Sequence, residues 1–186
     1  MALQPARRLF TATEYYRMAE AGVLTEDDRV ELIDGEILEM SPIGRRHSAC
    51  VARLTSVFSQ RLGAAVIVWP QNPVRLSERS EPEPDLALLR PRPDFYASAH
   101  PTPADVLLIV EVGDTSVEYD RQVKAPLYAH SGIPELWIVD LNRHHLGVYR
   151  DPSEAGYGTT RVLRRGESIS PLAFPDLTIA VDDILG

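Results

Sequence analysis

The chain has 186 residues, 44% of them hydrophobic and 25% charged, with 27 Asp+Glu against 19 Lys+Arg and a formal net charge of −8. That balance excludes a disordered chain and suits one domain, 1–186, with a full core. It also argues against wholesale electrostatic attraction to nucleic acid, while leaving room for a local basic groove. The single cysteine, Cys50, excludes an internal disulfide and a multi-cysteine zinc site. No apolar stretch approaches the ~20 residues that span a membrane, and MALQPARRLF lacks the apolar core of a secretory signal. The expected location is the cytoplasm.

In chain order, Thr11-Ala-Thr-Glu14 has the spacing of a capping box and predicts a helix from about Ala12 to Ala21, ending at Gly22. VELIDGEILEM alternates apolar and polar residues around Asp34-Gly35, a hairpin signal. In HSACVARLTSVFSQRLG the residues Cys50, Val51, Leu54, Val57, Phe58 and Leu62 recur at helical spacing before Gly63. Cys50 falls in that apolar stripe, although His47 lies one turn away and a thiol–imidazole pair is the alternative. AAVIVWP reads as a short buried strand, PVRL as another, and Pro84 leads into the strand DLALLR.

VLLIVEV is too continuously apolar for a strand with one wet face, so it is a central strand with Glu111 near its end. A helix follows, capped by Thr115 or Ser116 and stopped by Gly132 and Pro134. Pro126 must kink that helix or mark its true first turn. ELWIVD returns as a strand, and a connection of this length implies parallel pairing. Beyond it, LGVYR, TTRVLRR and DLTIAVDDIL read as antiparallel strands, with an exposed edge on which a second copy could pair.

Two carboxylates carry the chemistry. Asp85 and Glu111 each stand at the end of a predicted strand; on neighbouring strands they would repel, which raises one pKa or recruits a divalent cation. Hard oxygen donors without cysteine favour Mg²⁺ or Mn²⁺ over zinc. Lys124 is the only lysine, the other 18 basic residues being arginine. An ammonium kept at one place suits a site that needs a compact donor, and a chance survivor on a solvated face is the plain alternative. Two acids and a lysine are the parts of metal-assisted phosphodiester hydrolysis, in which the lysine steadies or deprotonates the attacking water. Arg45, Arg46, Arg90, Arg92 and Arg121 could form a basic groove if the fold gathers them, or lie scattered in solvent.

PEPDLALL and IVEVGDTSVEYDRQVKAPLYAHSGIPELWIVDL together resemble the Uma-two-type restriction endonuclease family of the PD-(D/E)XK nuclease superfamily. The resemblance runs from the ELIDGEILEMSP hairpin through the last helix–strand unit. It implies an α/β restriction-endonuclease-like core: a mixed central sheet flanked by helices, an N-terminal helix and hairpin, and a C-terminal antiparallel segment. It makes Asp85 the PD aspartate, Glu111 the second metal-binding acid, and DNA the substrate. The chain departs from the superfamily at Gly113, where the lysine of E-x-K would stand; Lys124 matches a lysine moved to the next helix. Glu31 and His47 also match motif positions, Glu31 as a metal ligand or a holder of Lys124, His47 as a donor behind a ligand. The expected activity is Mg²⁺-dependent DNA cleavage. The rival is a nuclease-fold binding or regulatory protein that cuts nothing, and a carboxylate-pair glycosidase would leave the lysine idle.

Overall fold

Six strands form the central sheet in the order β3-β4-β5-β6-β7-β8, and only the β5–β6 pairing is parallel. This computed structural model describes residues 6–25 and 27–186; the first five residues, part of the stretch read for a signal, lie outside it. The strands are β3 (Ile67–Trp69), β4 (Leu86–Leu89), β5 (Val106–Gly113), β6 (Glu135–Asp140), β7 (His145–Ser153) and β8 (Gly156–Arg164). Strands β4 and β6 are buried along their whole length, as their unbroken apolar runs require.

Both faces of the sheet are covered. Helix α2 (Arg45–Leu62) lays Cys50, Val51, Leu54 and Phe58 on the face that carries Leu108, Val110 and Trp137. The other face, with Ile109, Leu136 and Ile138, packs against Val117, Ala125 and Tyr128 of the β5–β6 crossover. Alternation along β5 therefore sends Glu111 to the crossover side with Ile109. Helix α1 (Ala12–Glu20) starts at a complete capping box between Thr11 and Glu14. Strands β1 (Val30–Ile33) and β2 (Glu36–Glu39) form the hairpin, and positive φ at Asp34 and Gly35 supplies its tight turn. The mixed sheet, flanking helices, N-terminal helix and hairpin are thus as expected.

Three details differ. The crossover is not one regular helix: a turn α3 (Val117–Tyr119) runs into a π-helical turn, Asp120–Lys124, and then α4 (Ala125–His130). Pro126 has no N–H for the carbonyl of Gln122, and its ring would crowd that oxygen; the ladder widens instead, with Ala125 N–H donating to Asp120 five residues back. Pro126 sits in the first turn of α4. PVRL is not a strand, because the partners of Val74 and Arg75 are the carbonyls of Pro82 and Pro101, which donate nothing in return. DLTIAVDDIL gives only the short β10 (Ile179–Ala180), paired with β9 (Ser168–Ile169), and then helix α5 (Val181–Leu185). Val181, Ile184 and Leu185 bury at helical spacing, and Asp182 and Asp183 suit a helix N-terminus. Among the described residues, no helix is long and apolar enough to cross a membrane.

At the end of β6 away from Asp140, the fully buried Glu135 carboxylate accepts from Arg150 Nε (2.9 Å) and NH2 (2.7 Å), Trp137 Nε1 (2.9 Å) and the Leu172 amide (2.6 Å). Glu135→Ala strands all of these donors and should cost roughly 3–5 kcal/mol. For a chain of this size that is a fall in melting temperature on the order of ten degrees. A fall of less than about two degrees would show the cluster to be replaceable.

Candidate active site

Antiparallel pairing of Leu86 with Val110 sets Asp85 beside Glu111. The Asp85 carboxylate accepts from the Val112 amide at 2.8 Å, and Glu111 Oε2 from the Asp85 amide at 3.4 Å. These are the adjacent acids that the sequence suggested. Lys124 Nζ lies 3.2 Å from Glu111 Oε1 and 3.1 Å from Glu31 Oε2, and all three side chains are at least nine-tenths buried. Glu31, on the hairpin, is thus paired with Lys124. His47 Nε2 stands 2.8 Å from Asp85 Oδ1. Cys50 is buried with its thiol on the Ile184 carbonyl and pushed up to about 11 by burial, so it forms no pair with His47.

Gly113 accounts for the missing E-x-K lysine. A Cβ there would sit 2.2 Å from Val117 Cγ2 and 2.9 Å from the Val117 amide, so no side chain fits where the crossover turns back onto β5. The ammonium reaches Glu111 instead from the π turn on the opposite wall.

Three participants were not singled out from sequence. Tyr128, fully buried, donates from its hydroxyl to Glu111 Oε1 at 2.6 Å. Asp120, 4% exposed, accepts from Ser116 Oγ at 3.0 Å, so Ser116 binds a side chain rather than capping the helix through its own. Glu83 lines the same cavity, and its amide donates to Glu31. Asp120, Lys124 and Tyr128 repeat at four-residue intervals, a one-face signal that the sequence did carry.

Glu31, His47, Glu83, Asp85, Glu111, Asp120 and Lys124 line a cavity of about 460 Å³, with Tyr128 behind Glu111. Burial raises Glu111 more than Lys124 lowers it, to about 8, while Glu111 and Glu31 raise Lys124 further above its ordinary value. The two shifts pull against each other, since a protonated Glu111 would hold the lysine less; we read the proton as staying on Lys124, which keeps two carboxylate partners. Glu31, Asp85, Glu111 and Asp120 set four carboxylates around one ammonium. That excess suits a divalent cation, and Mg²⁺ needs only one or two protein carboxylates because it retains waters. Asp85 and Glu111 could meet that need. Among the described residues, no group of three or more His, Cys, Asp or Glu is placed to hold a metal ion, so an ion here would rely on these two carboxylates and its own waters.

The five arginines considered for a groove do not line the cavity; Arg29 does. Arg46 bonds Asp114, Asn142 and the Leu141 carbonyl, and Arg121 bonds Asp140 and lies against His145. Arg90 and Arg92 belong to the loop beyond the other end of β4.

The fold is that of a solved protein described as a "putative nuclease belonging to DUF820" from Anabaena variabilis ATCC 29413 (17% identity, TM-score 0.73, covering 95% of this chain and 97% of that one). No curated protein matches. Residues 12–182 match the Uma2 family, described as "Putative restriction endonuclease", and the chain belongs to that family.

Burial raises Asp120 to about 6 against the pull of Lys124. A carboxyl that holds its proton more tightly when folded adds stability below its ordinary value, 3.8, and loses it as pH rises through about 6. Asp120→Asn cannot ionise, so relative to wild type it should gain on the order of 1–3 kcal/mol between pH 4 and 7. Melting both proteins in EDTA across that range measures the difference, and a flat difference would place the strain elsewhere.

Proposed function

We propose that this chain is a metal-dependent DNA endonuclease, hydrolysing phosphodiester bonds in a single restriction-endonuclease-like domain. The observation that carries the reading is one buried ammonium, Lys124, held between Glu31 and Glu111 next to Asp85 in an open cavity. Asp85 and Glu111 would hold Mg²⁺ or Mn²⁺. Such an ion, when bound, polarises the phosphate and makes a coordinated water more acidic.

Within this reading the remaining residues position and balance charge. His47 orients Asp85, and Tyr128 fixes Glu111 from the buried side. With two carboxylates raising its pKa, Lys124 keeps its proton, which suits it to steady negative charge on the phosphate rather than to act as base. Glu31 supports that state. The family description and the neighbour's title, both naming nucleases, favour this reading over a catalytically silent binding protein.

Nicking of supercoiled plasmid with Mg²⁺ or Mn²⁺ tests the proposal. Asp85→Ala should abolish cleavage, and Lys124→Arg should cut it at least tenfold although charge is kept, because a guanidinium is bulkier than the slot between the two glutamates. A wild-type protein that leaves the plasmid intact, or an active Asp85→Ala, would overturn it.

The metal can be tested without a substrate. An ion bound only by the folded state at a hundredfold excess over Kd stabilises it by about 2.7 kcal/mol. Millimolar Mn²⁺ should therefore raise the wild-type melting temperature by several degrees and leave Asp85→Asn nearly unmoved. Equal shifts in the two proteins would remove Asp85 from the ligands.

A further inference from the structure

A second cavity, of about 560 Å³, adjoins the first and shares Arg29, Met40 and Glu83 as walls. Strand β1 divides the two: Glu31 faces the candidate active site, and its neighbour Val30 lines the second cavity. The floor is aromatic and fixed. Tyr15 and Tyr16 meet edge to face at 5.7 Å, and His100 stacks on Tyr16 at 5.8 Å with rings 17° from parallel. The Tyr16 hydroxyl donates to Glu81, a buried carboxylate that also takes Arg75, and lies 2.9 Å from His100 Nε2. Tyr15 is tied to the Val30 carbonyl at 3.0 Å. Arg75 lies over the Tyr16 ring at 5.7 Å, so these rings are fixed before any ligand arrives, and a flat group that packs beside them costs little further ordering.

The chemistry of this cavity disfavours phosphate. Asp28, Glu81 and Glu83 face it, and its one guanidinium, Arg29, already donates to the Ser41 carbonyl. Aromatic and apolar walls edged by hydrogen-bonding groups suit a neutral planar ring. Beside a phosphodiesterase site, the neutral planar group one step along the substrate is a base. In a continuous duplex every base is stacked and paired, so none enters such a cavity unless it is extruded. The committed arginines point the same way. Arg46 and Arg121 already pair with Asp114 and Asp140, which offsets part of the attraction they would offer a second backbone.

We propose that the second cavity binds the nucleobase next to the scissile phosphate, so that the substrate is single-stranded DNA or DNA carrying an unpaired nucleotide. This rests on the nuclease reading of the first cavity and adds the substrate's form.

The test is binding in EDTA, measured by fluorescence anisotropy of a fluorescein-labelled 12-nucleotide single strand and of its duplex. The single strand should bind wild type at least tenfold more tightly than the duplex. Ala19 lines the second cavity from the exposed face of α1, where a larger side chain is tolerated. Ala19→Trp fills the cavity and should bring single-strand binding down to the duplex level. Ala19→Met, which keeps high helix propensity and occupies the cavity without adding charge, should do the same, so a folding defect in one variant leaves the other to decide. The Mn²⁺ melting shift should persist in both. Equal binding of the two DNA forms, or unchanged single-strand binding by the folded variants, overturns the proposal. Failure of plasmid nicking bears on the nuclease reading alone, because the binding assay involves no cleavage.

Discussion

The ion triad Glu31–Lys124–Glu111 joins three parts of the chain that secondary structure alone does not join. Glu31 belongs to a two-stranded hairpin outside the main sheet, Glu111 to a central strand, and Lys124 to the crossover. Each charge is buried, so each depends on the others for compensation; removing one partner of such a pair typically costs 3–5 kcal/mol. The hairpin also meets the chain preceding β4 through the Leu32–Glu81 bridge, the Gly35 amide on the Arg79 carbonyl and the Glu83 amide on Glu31. The ammonium therefore does part of the work of docking the hairpin, and that docking separates the two cavities.

The position of that ammonium follows from packing at Gly113. The crossover must turn tightly for Val117 to reach the sheet, and the tight turn leaves no room for any side chain two residues after Glu111. A cation can then reach Glu111 only from across the cavity. The π turn, which Pro126 favours by removing a hydrogen bond of the regular ladder, carries both Asp120 and Lys124 inward. A backbone irregularity and a displaced lysine are two consequences of one crowded corner.

How far the sequence could be read depended on how local each cause was. The capping box at Thr11, the Asp34-Gly35 turn, the stripe of α2 and the apolar run of β5 are decided by neighbours a few residues apart, and their period was visible. The strand reading of PVRL failed because its partners are Pro82, eight residues on from Val74, and Pro101, 26 residues from Arg75, and nothing within the four residues shows that both partners lack a donor. The last strand was overstated because alternation in LTIAV hid the helical spacing of Val181, Ile184 and Leu185. In the candidate site, the carboxylates and the solitary lysine stood out by residue type. Tyr128 and Asp120 did not, since a tyrosine in an apolar helix reads as core and an aspartate beside arginine reads as surface; their roles arise only when the crossover packs on Glu111.

The overall charge of −8 and the local charge of the cavity have different consequences. Net charge acts at long range and is screened within about 8 Å at physiological salt, so it mainly slows the approach of another polyanion. The four carboxylates around Lys124 act at short range in a poorly screened interior, where without an ion they weaken the hold on a phosphate and leave a nucleic acid to be held by its other contacts. On the proposed reading, a divalent ion on Asp85 and Glu111 would reverse that sign at the point where a phosphate would sit. Metal and substrate affinities would then be coupled through one electrostatic balance, each raising the other by the same factor. With Arg46 and Arg121 paired to Asp114 and Asp140, the proposed reading assigns recognition of DNA mainly to short-range groups: the ion, the ammonium and the aromatic cavity beside them.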